Sequence, residues 1–231
     1  MRANARSVAL GGVLLCLVGC GGAGSGGAAA NPANSLRPNV TGDSFSYSLS
    51  GTYKATPSSL SVQTSGTAVD AYQANTYAGQ PALESTLTTV LALASGQDTL
   101  TASEQRSSTG VTLAATDAGT LQAVTAGGFT KLTTLTTTTN ITGTETLANG
   151  TTINLVYTVI GAINVTTTAG TFACWVATRT ITYSDGFTSV DTIDFAPSIG
   201  AAVQEVIQNT YSSGLSFRVT SSLTSYMLGG T

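Results

Sequence analysis

The side chains best suited to covalent chemistry in this sequence are three cysteine thiols, those of Cys16, Cys20 and Cys174. The sequence contains no histidine. It therefore excludes histidine-based metal sites, and it excludes the Ser-His-Asp and Cys-His arrangements that activate a nucleophile. We expect no enzymatic activity and no cofactor.

The acids are densest near the C-terminal end, at Asp185, Asp191, Asp194 and Glu205. On a strand, Asp191 and Asp194 would face opposite sides, which disfavours paired acid-base catalysis. Calcium binding would need further oxygen donors that converge on one point. We therefore expect these acids in turns or on a solvated face and predict no metal site, with Arg179 pairing with one of them across a hairpin at the surface.

The composition narrows the functional classes further. Only 8% of the 231 residues are charged and 42% are hydrophobic, with a formal net charge of −3. A nucleic-acid binder needs clustered Lys and Arg, which this balance does not offer. Disorder caused by high charge is also excluded.

The first 20 residues have the features of an export signal. Arg2 and Arg6 precede an apolar run over residues 8–18, which only Gly11 and Gly12 interrupt. This run is too short for a membrane-spanning helix, which needs about 20 residues. It has the length of the hydrophobic region of a signal peptide.

The apolar run ends in Leu17, Val18, Gly19 and Cys20, and these four residues resemble the lipobox of bacterial lipoproteins. The resemblance implies a signal peptide over residues 1–19, cleavage before Cys20 and acylation of its thiol. Acyl chains would then hold the protein at a membrane. The alternative is an ordinary signal peptide that is cut further on, after one of the alanines at 28–30.

Two further expectations follow from the lipobox. The residue after Cys20 is glycine, which by the enterobacterial sorting rule favours the outer membrane. Cys16 would leave with the signal peptide, so Cys174 would have no partner for an intramolecular disulfide. We expect Cys174 to be buried, because an exposed thiol is reactive in an oxidising compartment.

The rest of the chain divides into a linker over residues 20–38 and one domain over 39–231. The linker is rich in Gly, Ala and Ser, which is typical of a flexible tether. Three segments of the domain alternate apolar and polar residues, around residues 45–53, 153–160 and 215–227. Such alternation and the turn dipeptides Asn149-Gly150 and Asp185-Gly186 predict an all-β antiparallel meander.

Two segments also fit a helical period. We favour a strand for residues 83–94, because several of their residues are β-branched. For residues 198–209 the periodicity leaves helix and strand open. Residues 172–177 are apolar on both faces and predict a central strand, in which Trp175 either packs in the core or faces a ligand.

The C-terminal part resembles bacterial periplasmic and lipoprotein β-domains of the TapB-like kind. The matching stretches are 165–174, which contains Gly170, 194–204, which contains Pro197 and Gly200, and 223–226. The resemblance implies a strand after Pro197, structural roles for these three residues, and a curved antiparallel sheet or half-barrel. It implies no catalytic residue. The sequence departs from the family pattern at positions 168, 198 and 204.

These observations lead to two functional hypotheses. The first is a non-catalytic, lipid-anchored envelope protein that binds a protein, glycan or lipid partner or supports assembly, with its membrane contact through Cys20. The second is a carrier of a hydrophobic ligand, a lipid or a lipoprotein, in the concavity of a half-barrel. In the second hypothesis Tyr157, Phe172 and Trp175 would line the cavity.

Overall fold

A computed structural model describes residues 31–93, 96–117 and 119–230 of the chain. The described residues form twelve strands. They are β1 (Ser44–Lys54), β2 (Val62–Tyr77), β3 (Gln80–Leu93), β4 (Gly96–Ser107), β5 (Thr112–Asp117), β6 (Thr120–Gly127), β7 (Asn140–Leu147), β8 (Thr152–Thr167), β9 (Gly170–Tyr183), β10 (Thr188–Ala196), β11 (Ala201–Thr210) and β12 (Ser216–Met227). Among these residues there is no helix with the length and apolar character to cross a membrane.

Each strand pairs antiparallel with its neighbour in the sequence, and β1 pairs with β12 to close a barrel. The prediction of an all-β antiparallel meander is confirmed. The prediction of a curved sheet or half-barrel is wrong, because the ladder from Ser44↔Met227 to Lys54↔Ser216 joins the first strand to the last. Closure satisfies the backbone groups that two free edges would leave unpaired.

Both segments with a possible helical period are strands. The strand favoured for residues 83–94 is confirmed by β3, and the segment left open at 198–209 forms β11. Pairing with strands on both sides decides the structure of each segment, since a weak helical period cannot compete with two complete ladders.

The strands place apolar side chains inside the barrel and mostly polar ones outside. In β8, for example, Ile153, Leu155, Tyr157 and Val159 are buried. Asn154 lies between them on the exposed face, as the alternation predicts. Threonine supplies much of the outer surface because its β-branched side chain suits a pleated strand and its hydroxyl can face water.

The interior contains two hydrophobic clusters. The first includes residues of β1, β9, β11 and β12, and the second is centred on β8, β9 and β10. β8 also contacts β11 and β12 across the interior. These strands are not neighbours in the sheet, so opposite walls of the barrel approach each other where β8 meets β11 and β12.

One end of the barrel carries both ends of the described chain, and we call it the linker end. The strands alternate in direction, so the connections after β2, β4, β6, β8 and β10 all lie at this end. Residues 33–39 cross it. The backbone N–H of Leu36 donates to Thr133, that of Arg37 donates to Pro197, and the indole N–H of Trp175 donates to the carbonyl of Ala33.

Gly200 makes this crossing possible. Its φ is +70°, a conformation that L-residues rarely adopt, and a Cβ there would lie 2.4 Å from the carbonyl oxygen of Arg37. The carbonyl of Gly200 also accepts a hydrogen bond from the side-chain amide of Asn39. Gly170, the first residue of β9, has a φ of +137°.

A charged network lies inside the barrel at β9, β10 and β11. Arg179 Nε donates to Asp191 Oδ2 at 2.7 Å, and Arg179 Nη2 donates to Glu205 Oε1 at 2.9 Å. Ser189 Oγ lies 2.6 Å from Asp191 Oδ1 and 2.7 Å from Asn209 Oδ1. All five side chains are buried.

This network corrects the prediction for the acids. Arg179 does pair across the β9–β10 hairpin, but the contact is buried and not at the surface. Asp191, Asp194 and Glu205 are buried instead of solvated, whereas Asp185 lies in an exposed turn. The paired side chains are buried because Arg179 and Asp191 lie opposite each other in the β9–β10 ladder, at positions whose side chains point into the barrel.

Replacement of Arg179 by Met is expected to destabilise the barrel by about 3–5 kcal/mol, because it leaves two buried carboxylates without their cation. Urea unfolding at pH 7 measures this loss. Arg218 lies on the exposed face of β12, so R218M is the matched control and should change the free energy of unfolding by less than about 0.5 kcal/mol. Equal losses in the two variants would contradict the role assigned to the network.

Candidate binding pocket

The linker end contains a cavity of about 390 Å³, which we call the end pocket. Its wall comes from residues 38–41, the end of β2, the start of β3, the end of β4 with the turn after it, and Lys131. The lining residues are Pro38, Asn39, Val40, Thr41, Tyr72, Ala74, Pro81, Ala82, Leu83, Ser85, Arg106, Ser107, Ser108, Gly110 and Lys131. The volume lies within the range of small-molecule sites.

Local sequence explains how the wall is built. Tyr72 and Ala74 are successive inward positions of β2, and Leu83 and Ser85 are the residues opposite them on β3. Pro81, near the start of β3, fixes its own backbone angle. Residues 38–41, at and just after the end of the segment that crosses the linker end, cover one side of the opening.

The charged residues in the wall of the end pocket are both cations. Arg106 is 4% exposed, and its Nη1 donates to the carbonyls of Gly110 and Phe129. Lys131 Nζ donates to Asn39 Oδ1 at 2.6 Å. These contacts fix the positions of two positive charges beside an otherwise mainly apolar surface.

Three carboxyl groups lie in the barrel near these cations, and none of them is part of the pocket wall. Glu104 forms an ion pair with Arg106, and Glu145 Oε2 accepts a hydrogen bond from the backbone N–H of Phe129. Asp70 accepts a hydrogen bond from Tyr72. Within the described residues, Asp70 Oδ1, Glu104 Oε2 and Glu145 Oε1 accept no hydrogen bond.

Burial dominates the protonation of these acids. It raises the pKa of Asp70 to about 7, although the hydroxyl of Tyr72 and the charge of Lys131 act in the opposite direction. It raises the pKa of Glu104 to about 8 against the effect of Arg106, and that of Glu145 to about 7. Near neutral pH the three groups are therefore partly protonated.

The residues singled out from the sequence lie elsewhere. Tyr157 and Trp175 pack in the second hydrophobic cluster and Phe172 packs in the first, and none of them lines the end pocket. Cys174 is buried, which confirms that prediction, and burial together with Asp194 raises the pKa of its thiol. Leu17, Val18, Gly19 and Cys20 lie outside the described residues.

Sequence reasoning did not identify the acids and cations around the end pocket. The sequence does contain an indication for Asp70, because this residue alternates with the apolar residues Ala68 and Tyr72 and so faces the same side of β2. A charged residue at such an inward position indicates a buried polar site. In the described part of the chain, no three His, Cys, Asp or Glu side chains converge to hold a metal ion.

The buried acids predict that stability falls as pH rises. The folded protein retains protons that the unfolded chain loses near pH 4–5, so the free energy of unfolding decreases between about pH 4.5 and 8. Replacement of Glu104 by Gln should weaken this dependence, because the variant stays neutral throughout. One group contributes at most about 1.4 kcal/mol per pH unit.

Urea unfolding midpoints at pH 5 and pH 8 measure the effect. D185N is the control, because Asp185 is exposed and an amide oxygen can still accept the hydrogen bond from the N–H of Phe187. It should keep the full pH dependence. If E104Q also kept the full pH dependence, the folded protein would not retain a proton on Glu104 that the unfolded chain loses.

No protein-family model and no curated protein matches the chain. It is similar to the crystal structure of a proposed exported protein with a YmcC-like fold from Bacteroides fragilis, with 12% identity, a TM-score of 0.42 and coverage of 84% of this chain and 99% of that one. It is also similar to the crystal structure of a proposed lipoprotein from Parabacteroides distasonis, with 11% identity, a TM-score of 0.38 and coverage of 85% and 100%. At this level of similarity, no residue role passes from either protein to this chain.

Proposed function

We propose that this chain is a non-catalytic binding module of the bacterial cell envelope, anchored by acyl chains on Cys20, and that it binds its ligand in the end pocket. The end pocket carries the proposal. It combines a volume of about 390 Å³ with two cations held in place by the surrounding chain.

The lipobox over residues 17–20 and the TapB-like stretches near the C-terminus support a place in the envelope, and Gly21 favours the outer membrane. The described chain starts at the linker end with Asn31. The 11 residues from Cys20 to Asn31 span at most about 40 Å when fully extended. An acylated Cys20 would therefore keep the end pocket close to the membrane surface.

The structure also bears on the alternative of a carrier that holds its ligand in the concavity of a half-barrel. The residues expected to line that concavity are Tyr157, Phe172 and Trp175, and all three pack against neighbouring side chains in the hydrophobic clusters. Opposite walls also meet across the interior at β8. The end pocket is therefore the better-supported place for a ligand, and the proposal assigns it no catalytic step.

Replacement of Cys20 by Ala is expected to release the protein from the membrane fraction, because the acyl chains would have no attachment site. Cell fractionation without detergent detects the release, and intact-mass analysis of the native protein should show a chain that starts at Cys20 and carries added acyl mass. C16A is the control and should stay in the membrane fraction. A native protein with an unmodified Cys20 thiol would overturn the anchor.

A pair of variants on β2 tests binding in the end pocket. Ala74 lines the pocket, so A74W should fill it, whereas Ala71 points outward from the same strand and A71W should leave it open. Mass spectrometry of molecules that copurify with the native protein should detect a ligand that is lost in A74W and retained in A71W. Equal recovery from both variants, or no ligand in any sample, would contradict the proposed site.

A further inference from the structure

The charge in the wall of the end pocket has one sign. Arg106 and Lys131 line the cavity, whereas the nearby acids Asp70, Glu104 and Glu145 do not. A ligand in the pocket therefore meets cationic groups directly and carboxyl groups only through other side chains. This arrangement favours an anionic ligand group.

Arg106 forms an ion pair with Glu104, and Lys131 donates to the neutral side chain of Asn39. From β2, β4 and β7, Asp70, Glu104 and Glu145 face these two cations, and burial favours the protonated form of each. Just before β1, Asp43 is held by Arg37 in a two-point contact at 2.7 and 2.9 Å. A bound anion would add a negative charge on the side of both cations that lines the cavity.

The rest of the pocket wall suits an alkyl chain. Pro38, Val40, Pro81, Ala82 and Leu83 present apolar groups to the cavity. Burial of CH₂ groups against such a wall favours binding, because it removes apolar surface from water. The volume of about 390 Å³ fits one slender chain better than a bulky polar molecule such as an oligosaccharide.

We propose that the end pocket binds an amphipathic anion, a single alkyl chain whose acidic head lies at Lys131 and Arg106. This inference rests on the proposed function and names the ligand class of the same site. A free fatty acid and the anionic headgroup of a single-chain phospholipid share this chemistry. The two sources are separated by comparing one probe of each kind.

The test uses the full acylated chain in amphipol and dodecanoate labelled with ¹³C at the carboxyl carbon. NMR should show a bound carboxyl signal distinct from that of the free or partitioned probe, and A74W should lose this signal while A71W keeps it. Titration calorimetry should show that dodecanol, which lacks the charge, binds about tenfold more weakly or worse. Equal affinity for dodecanol and dodecanoate would overturn the inference.

Variants at Lys131 test the charge itself. K131Q should weaken dodecanoate binding by about tenfold. K131R should bind dodecanoate about as tightly as the native protein does, and a purely structural role of the lysine side chain would not require this result. K54Q removes an exposed lysine from the far end of β1 and should leave binding unchanged. Unchanged affinity in K131Q would contradict the assigned headgroup position.

Lysophosphatidylglycerol serves as the second probe. Tighter binding of dodecanoate assigns the site to free fatty acids, and tighter binding of the lysolipid assigns it to a phospholipid headgroup; either result supports the inference. If neither probe binds while A74W still removes a copurified ligand, the inference is wrong and the proposed function stands. If A74W removes nothing, both are wrong.

Discussion

The pairing of β1 with β12 is the interaction on which the rest of the structure depends. It turns a meander of twelve strands into a closed barrel and thereby defines an inside, where both the hydrophobic clusters and the charged groups lie. The ladder requires a glycine at position 51, because a Cβ there would lie 2.1 Å from the carbonyl oxygen of Arg218. The residues that flank β1 and β12 meet beside this ladder, where the N–H of Gly229 donates to Asp43 at 2.7 Å.

The barrel accommodates buried charge in two different ways. Around Arg179 both acids are hydrogen-bonded, since Asp191 and Glu205 each accept a hydrogen bond from the same guanidinium group. Around Arg106 the hydrogen bonding of the acids is incomplete, because Glu104 and Glu145 each have a carboxyl oxygen that accepts no hydrogen bond from the described residues. The first arrangement is what a stable core needs, whereas the second is retained at the cost of burying polar groups that lack partners. This difference supports the proposed ligand site at the linker end.

The sequence was sufficient to predict the strand-rich antiparallel structure, because alternation in segments such as 153–160 is a local property. Closure could not be predicted, since an inward-outward alternation is the same in an open sheet and in a barrel. The position of Arg179 could have been predicted from its parity with Ala177 and Ile181, both buried. The end pocket could not, because residues 38–41, β2, β4 and Lys131 come together only through long-range pairing.

A closed hydrogen-bonded ring also limits how another protein can be recognised. Most of the twelve described strands are paired on both sides and offer no free edge for an added strand, the mode of recognition used by PDZ domains. One exception is β4, which pairs with β5 only over Glu104–Arg106 and leaves residues 96–102 without a ladder on that side among the described residues. The same closure protects the chain from edge-to-edge association with copies of itself. Away from such stretches, recognition of a partner would use side chains on the threonine-rich outer wall or the loops at the two rims, and affinity would depend on substitutions there and not on backbone geometry.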